Sequence, residues 1–220
     1  MKIYQSTFKN QKSFCVENDL IKVVVLPDIG AKVSSIIYKP QSYEVLSQTK
    51  GDYKLPKYGE PFHWYDGTGL DEMFPTIDKC EYPYDGYNGE ILPDHGEVWA
   101  LQWDTEIQEN CLINRVKSPK FNYVFERKIS LSSEKIRFDY SIKNIGKEKL
   151  YGLWAFHSLV QADENSQIIL KDVNSVMNVH NSKYLGEIGK IHSYPVTKDN
   201  FGNDYDLSKV FPKSAKKTEK

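Results

Sequence analysis

The residues best suited to acid/base chemistry in this 220-residue sequence are its five histidines. They are His63, His95, His157, His180 and His192. No two of them have the spacing of a metal motif such as HxH or HExxH, and the sequence contains no GxSxG or phosphate-binding loop motif. A catalytic site must therefore be assembled from groups that are far apart in the chain and meet in the fold.

Two histidines lie where predicted strands meet loops. His95 belongs to the sequence LPDHG (residues 92–96), and His157 ends an apolar segment, on the face opposite Trp154 and Phe156. Binding residues are often placed at such junctions on a rigid scaffold. The alternatives are a surface loop position for His95 and a hydrogen-bonded structural role for His157.

Residues 48–95 are rich in acidic and aromatic side chains. The acidic set could bind Ca²⁺, but its spacing does not match an EF-hand, and solvated loop charge is the preferred interpretation. The aromatic set could stack on sugar rings or pack the loops against each other. The acidic residues are Asp66, Asp71, Glu72, Asp78, Glu81 and Asp85, and the aromatic residues are Trp64, Tyr65, Tyr82, Tyr84 and Tyr87.

The pattern of apolar residues predicts an all-β fold with antiparallel sheets. The segments LIKVVVL (20–26) and AKVSSIIY (31–38) flank a Pro/Gly break and predict a hairpin. A short strand is expected at 43–46, and residues 97–103 alternate as a strand would. Residues 121–160 predict three consecutive paired strands, with turns at 132–134 and 144–147. Short strands are also expected at 167–170 and 176–179.

Residues 48–95 show no sustained period and are predicted to form ordered loops over one face of a sheet. No linker or repeat divides the sequence, so a single domain over residues 1–210 is expected, followed by a flexible charged tail at 211–220.

Charge and cysteine content exclude several classes of protein. Lys plus Arg total 29 and Asp plus Glu total 30, which gives a net charge of -1 and no global attraction for nucleic acid. The sequence has no secretory signal and no long apolar segment, so no membrane association is expected. Cys15, Cys80 and Cys111 form no CxxC pair, which argues against a disulfide framework or a zinc site and favours a cytoplasmic location.

Four segments together resemble the aldose 1-epimerase, or galactose mutarotase-like, family. They are LPDIGAKV (26–33), GLDEMFPT (69–76), LPDHG (92–96) and AFHSL (155–159), in the order found in that family. The resemblance implies an antiparallel β supersandwich that interconverts the anomers of a free aldose and needs no cofactor or metal. It also implies that His157 is the acid and that His95 polarises the ring oxygen. Substrate-binding residues are expected at Asp71, Glu72, Phe74, Trp64, Trp99 and Trp154.

The resemblance ends before the position of the family's catalytic base, a glutamate near the C-terminus. Glu187 is the only acidic residue in a comparable late position, and its surroundings differ from the family's. The chain is therefore expected to be a short relative, and missing late strands would favour a homo-oligomer. Three classes of function stay open: an aldose epimerase, a sugar-binding protein without turnover, and a structural domain. A carboxylate facing both histidines would favour the enzyme.

Overall fold

The computed structural model describes residues 1–212 and residue 215, and divides into two compact units, Met1–Gln161 and Ala162–Lys220. The expected single domain over residues 1–210 stays a prediction, because a division of contacts does not decide whether the two units fold together. The expected tail at 211–220 falls mostly outside the described residues. No α-helix is present in the described part of the chain, and no helix there could cross a membrane.

The first unit contains thirteen strands. They are β1 (Lys2–Phe8), β2 (Gln11–Glu17), β3 (Ile21–Leu26), β4 (Lys32–Tyr38), β5 (Tyr43–Glu44), β6 (Gly69–Met73), β7 (Cys80–Glu81), β8 (Ile91–Leu92), β9 (Asp104–Gln108), β10 (Cys111–Lys117), β11 (Tyr123–Ser132), β12 (Lys135–Asn144) and β13 (Ala155–Leu159). Three short 3-10 helices lie between them, at Lys39–Gln41, Phe62–Trp64 and Val98–Ala100.

These strands form two antiparallel sheets, and a separate short pair joins β7 and β8. The first sheet has the order β1-β2-β3-β4-β6-β13, with β5 added beside β4, and the second has the order β12-β11-β10-β9. One apolar core contains Val23 and Val33 from the first sheet together with Leu112 and Phe125 from the second. Since alternate residues of each strand face this shared core, the two sheets form a sandwich, as the sequence predicted.

The predicted hairpin at residues 20–38 is confirmed, since β3 and β4 pair antiparallel with a register shift between Val24 and Val25. The prediction of three consecutive paired strands over 121–160 is wrong for the third strand. Strands β11 and β12 pair, but β13 pairs with β6 in the first sheet. The physical reason is that Phe156 packs against Phe138 across the sandwich, with ring centroids 5.8 Å apart, so β13 faces β12 rather than lying beside it.

The alternating segment at 97–103 is a 3-10 turn and not a strand. Val98, Trp99 and Ala100 are all buried, whereas a strand on the surface of a sheet would bury every second residue. The side chain of Trp103 closes this turn by donating its Nε1 hydrogen to the carbonyl of Val98, at 2.8 Å.

Residues 48–95 are mostly irregular, and only part of this segment covers the outer face of the first sheet, since Tyr82 and Leu92 pack in the core between the sheets. Tyr53 packs on Leu26 and Ile29 of that face. The prediction missed one element: β6 lies inside this segment, and every one of its residues is buried. The sequence GLDEM has no alternation of apolar and polar residues, so it does not predict a strand. Packing on both of its faces places this segment in the sheet.

The second unit contains two short hairpins. Strand β14 (Ser175–Met177) pairs with β15 (Ile191–Ser193), and β16 (Val196–Lys198) pairs with β17 (Asp204–Asp206). The strand expected at 167–170 is reduced to one bridge at Gln167. The strand expected at 176–179 is partly confirmed by β14.

Candidate functional site

His157 lies on the outer face of the first sheet. It is directly opposite Asp71 in the β13–β6 register, while its neighbour Phe156 faces the other sheet. The ring is half-buried, and its Nδ1 atom is buried without a hydrogen-bond partner among the described residues. Burial lowers the pKa of His157 below its ordinary 6.5, and the charges of His95 and Lys32 act in the same direction. His157 is therefore a neutral imidazole at neutral pH.

His95 reaches the same face from a tight turn. His95 and Gly96 have φ angles of 59° and 72°, and the Gly96 amide donates to the carbonyl of Pro93 at 3.0 Å. A Cβ atom on Gly96 would lie 2.3 Å from the carbonyl oxygen of Phe74, so only glycine fits here. The amide of Glu97 also donates to that oxygen, at 2.9 Å, which ties the turn to the end of β6.

Strand β6 therefore positions both histidines, one through its pairing with β13 and one through the turn at its end. The centroids of the His95 and His157 rings are 5.4 Å apart, with the ring planes at 86°. The predicted meeting of these two residues is confirmed by this geometry. Their catalytic roles stay predictions.

Asp94 orients His95. Its Oδ1 atom lies 2.8 Å from Nδ1 of His95, and its Oδ2 atom accepts a hydrogen bond of 3.0 Å from the Phe62 amide. Burial works against ionisation of Asp94, but the hydrogen bonds from His95 and Phe62 outweigh it and lower the pKa of the carboxyl group. An ionised carboxylate only accepts hydrogen bonds, so Nδ1 of His95 carries the proton and Nε2 is left for a ligand.

An aromatic wall closes one side of the histidine pair. The Phe62 ring is stacked on His95 with centroids 4.1 Å apart and planes at 8°, and its centroid is 5.4 Å from that of His157. Trp99 is buried behind Phe62, and its Nε1 hydrogen is shared between the carbonyls of Asp94 and Gly96. Trp99 thus supports Phe62 from behind, and its expected role in substrate binding stays a prediction.

A buried ion pair lies beside the histidines on the same face. Nζ of Lys32 is 2.5 Å from Oδ2 of Asp71 and 2.7 Å from the carbonyl of Thr68, and both charged side chains are at most 2% exposed. Burial raises the pKa of Asp71, an effect that the charge of Lys32 offsets only in part. Of the predicted site residues, Asp71 is thus the one directly opposite His157 in the sheet, but its carboxylate is already paired with Lys32.

Three other predicted substrate-binding residues lie on the opposite face of the sheet. Glu72 accepts hydrogen bonds from Arg127, Tyr140 and Trp154 between the two sheets. Phe74 packs in the core against Tyr123. Side chains alternate across a strand, so Glu72 and Phe74 cannot share the face of Asp71. Glu72 and Phe74 therefore do not face a ligand bound at the histidines.

The remaining predicted residues are scattered. Trp64 is 58% exposed, and its ring lies against His63 and not against the histidine pair. Tyr82 is buried in the core, where its ring contacts both Tyr84 and Tyr87. Glu187 lies exposed in the second unit. In the part of the chain that is described, no group of three His, Cys, Asp or Glu side chains could hold a metal ion.

Sequence reasoning missed Phe62, Asp94 and Lys32. Asp94 had a visible signal, because an acidic residue next to a histidine can orient its ring. Phe62 and Lys32 had none, since each is distant in sequence from the groups that it contacts.

The comparisons with known proteins give distant structural similarities. No family model and no curated protein matches the sequence. Among solved structures, a TPR-domain containing protein from Parabacteroides distasonis matches with 16% identity and a TM-score of 0.41, over 59% of this chain and 21% of that one. The 4-alpha-glucanotransferase from Thermococcus litoralis matches with 16% identity and a TM-score of 0.40, over 64% of this chain and 24% of that one. The chain thus spans less than a quarter of the length of either protein.

Proposed function

We propose that this chain binds a free aldose at the histidine pair and interconverts its anomers by acid/base ring opening. The observation that carries the proposal is the contact of His95 and His157, with ring centroids 5.4 Å apart, on one face of the first sheet. The order of the four family-like segments in the sequence supports the same activity. The expected partner is a small-molecule sugar, and no cofactor is required.

The reaction removes one proton from the sugar and adds one proton to it. A base takes the proton of the anomeric hydroxyl, the C1–O1 bond becomes a carbonyl, and the C1–ring oxygen bond breaks. Its electron pair goes to the ring oxygen, which takes a proton from an acid. Rotation about the C1–C2 bond and closure in the reverse sense give the other anomer. Positioned acid and base groups each accelerate such steps, typically by 10²–10⁴-fold.

The two imidazoles suit these roles. His157 is neutral at neutral pH and suits the proton acceptor during opening, which by microscopic reversibility returns the proton during closure. His95 suits the acid in its doubly protonated form: Nε2 takes a proton from solvent and passes it to the ring oxygen, while Nδ1 stays protonated on Asp94, whose carboxylate compensates the charge of the imidazolium. This assignment gives His157 the role opposite to the acid role that the family resemblance implies.

The alternative function is sugar binding without turnover. One observation favours it: Asp71, the carboxylate in register with His157, is neutralised by Lys32, so it is not free to act as a base. Under this alternative the histidines donate and accept hydrogen bonds to sugar hydroxyls only.

Anomer interconversion of freshly dissolved α-glucose and α-galactose, followed by polarimetry, tests the proposal. Wild-type protein should exceed the buffer rate, and His157→Ala should lower the protein-dependent rate by about 10²–10⁴-fold. His180→Ala, the same change at an exposed histidine of the second unit, should match wild type. Equal rates for wild type and His157→Ala would rule out catalysis by His157.

Saturation-transfer NMR with the same sugars separates binding from turnover. A signal that is present in wild type and lost in His95→Ala, without any gain in rate, would support the binding alternative. No signal and no rate with any aldose would overturn both functions. The expected homo-oligomer stays a prediction that sedimentation at several concentrations would measure.

A further inference from the structure

The two carboxylate oxygens of Asp94 form hydrogen bonds with two different parts of the chain. One oxygen holds the His95 ring at 2.8 Å, and the other holds the amide of Phe62 at 3.0 Å. Phe62 belongs to residues 57–65, a connecting segment that includes the 3-10 helix Phe62–Trp64 and that we name the Phe62 loop. A single side chain therefore ties a histidine of the site to the loop that covers it.

Besides the ring of Phe62, which contacts His95, Trp99 and His157, three groups attach the Phe62 loop to the site. The hydroxyl of Tyr58 donates to Oε2 of Glu97 at 3.0 Å, the amide of Phe62 donates to Asp94, and the ring of Tyr65 lies 5.6 Å from Trp99. Of these three, only the attachment to Asp94 involves a group that also contacts a histidine. The stacking of Phe62 on His95 occupies one face of the imidazole.

We propose that Asp94 is a positioning residue that couples closure of the Phe62 loop to the tautomer and orientation of His95. With the loop closed, both carboxylate oxygens are engaged, and His95 is held with its proton on Nδ1 and its Nε2 free. When the loop opens, the Phe62 ring leaves the imidazole, and the carboxylate loses the amide that fixes its own rotamer. Loop opening and reorientation of His95 are then one event.

The coupling has a consequence for the ligand. A sugar that needs the covered face of His95 must displace Phe62, whereas a sugar that approaches Nε2 from the edge binds with the loop closed. The loop thereby sorts ligands by the direction from which they reach the imidazole. This consequence rests on the proposed function, but the coupling of Asp94 to His95 and Phe62 does not.

The tautomer of His95 is read directly by ¹⁵N–¹H correlation NMR of the histidine rings in the full chain. The wild-type protein should show His95 protonated on Nδ1, with its carbon-bound ring protons shifted upfield by the stacked Phe62 ring. Phe62→Ala should remove the upfield shift and keep the Nδ1 proton. Wild-type protein with the proton on Nε2 would overturn the proposal without any variant.

Asp94→Asn tests the coupling itself. Asn offers one acceptor and one donor group in place of two acceptors: with its carbonyl on the Phe62 amide, its amide group donates to Nδ1, so the His95 proton should move to Nε2 while the Phe62 ring-current shift stays. Asp66→Asn is the matched control, since Asp66 bonds to Thr68 and not to a histidine, and it should leave both signals unchanged. If Asp94→Asn keeps the tautomer of wild type, the proposal is wrong.

Activity gives an independent readout. If the proposed function holds, Asp94→Asn should lower kcat by about 10²–10⁴-fold with a smaller change in KM, as expected for a misplaced proton rather than a lost binding contact. If wild type shows no turnover, the proposed function fails, while the tautomer and ring-current results still decide the role of Asp94.

Discussion

Replacing Arg127 with Met should break a buried ion pair that joins the two sheets. Arg127 and Glu72 are both fully buried, with Nη1 of Arg127 3.0 Å from Oε1 of Glu72. Nη2 of Arg127 also donates to the carbonyl of Ala31 and, at 3.2 Å, to Oδ1 of Asn114. The guanidinium therefore connects β11 to the first sheet and to β10.

The expected loss follows from what the substitution leaves behind. In Arg127→Met, Glu72 keeps the hydrogen bonds from Tyr140 at 2.7 Å and Trp154 at 2.9 Å but loses its only cation within the described residues. An unpaired carboxylate in such an environment typically lowers the free energy of unfolding by about 3–5 kcal/mol. In the double variant with Glu72→Gln, no buried charge is left, so at least half of that loss should be recovered.

Urea unfolding followed by tryptophan fluorescence measures this effect. The four tryptophans, Trp64, Trp99, Trp103 and Trp154, all belong to the first unit, so the signal reports on the sandwich alone. Arg137→Met is the control, because Arg137 pairs with Asp139 at the surface, and its stability should stay close to wild type. A loss below about 1 kcal/mol for Arg127→Met, or a double variant less stable than Arg127→Met, would refute the reasoning.

The other predictions concern pH and the turn beside the site. Folding lowers the pKa of His157, so as pH falls the unfolded chain takes up the proton at a higher pH than the folded chain does. The free energy of unfolding should therefore fall as pH drops below the ordinary value of 6.5. His157→Gln should flatten this slope between about pH 7.5 and pH 5.5 in the same urea assay. Gly30→Ala should cost more than about 1 kcal/mol, because Gly30 has a φ of +60° and an added Cβ would lie 2.3 Å from the Trp99 carbonyl oxygen. Gly59 has a φ of +80° but open space around an added Cβ, so Gly59→Ala measures the backbone strain alone. Gly51→Ala should leave the free energy of unfolding unchanged. Equal stability of the Gly30→Ala and Gly51→Ala variants would contradict the argument.

The histidine pair shows how far local sequence determines a site. Alternation along residues 153–157 places His157 on the face opposite Phe156, and this expectation agrees with the structure because it depends on chain geometry within a few residues. The loop-to-strand junction expected at His95 is wrong in its second half, since a 3-10 helix and not a strand follows LPDHG. The expected grouping of Glu72 and Phe74 with Asp71 failed because neighbouring residues of β6 point to opposite faces.

The sequence by itself determined the all-β class, the β3–β4 hairpin and the pairing of β11 with β12. Each of these depends on period-two apolar patterns and on turn residues between adjacent segments. Tertiary structure alone decided that β13 leaves its neighbour β12 and pairs with β6, because that pairing depends on aromatic contacts such as Phe156 with Phe138 across the sandwich. It also decided that Lys32 is buried against Asp71, since a lysine enters a protein interior only where a distant carboxylate is in place to meet it.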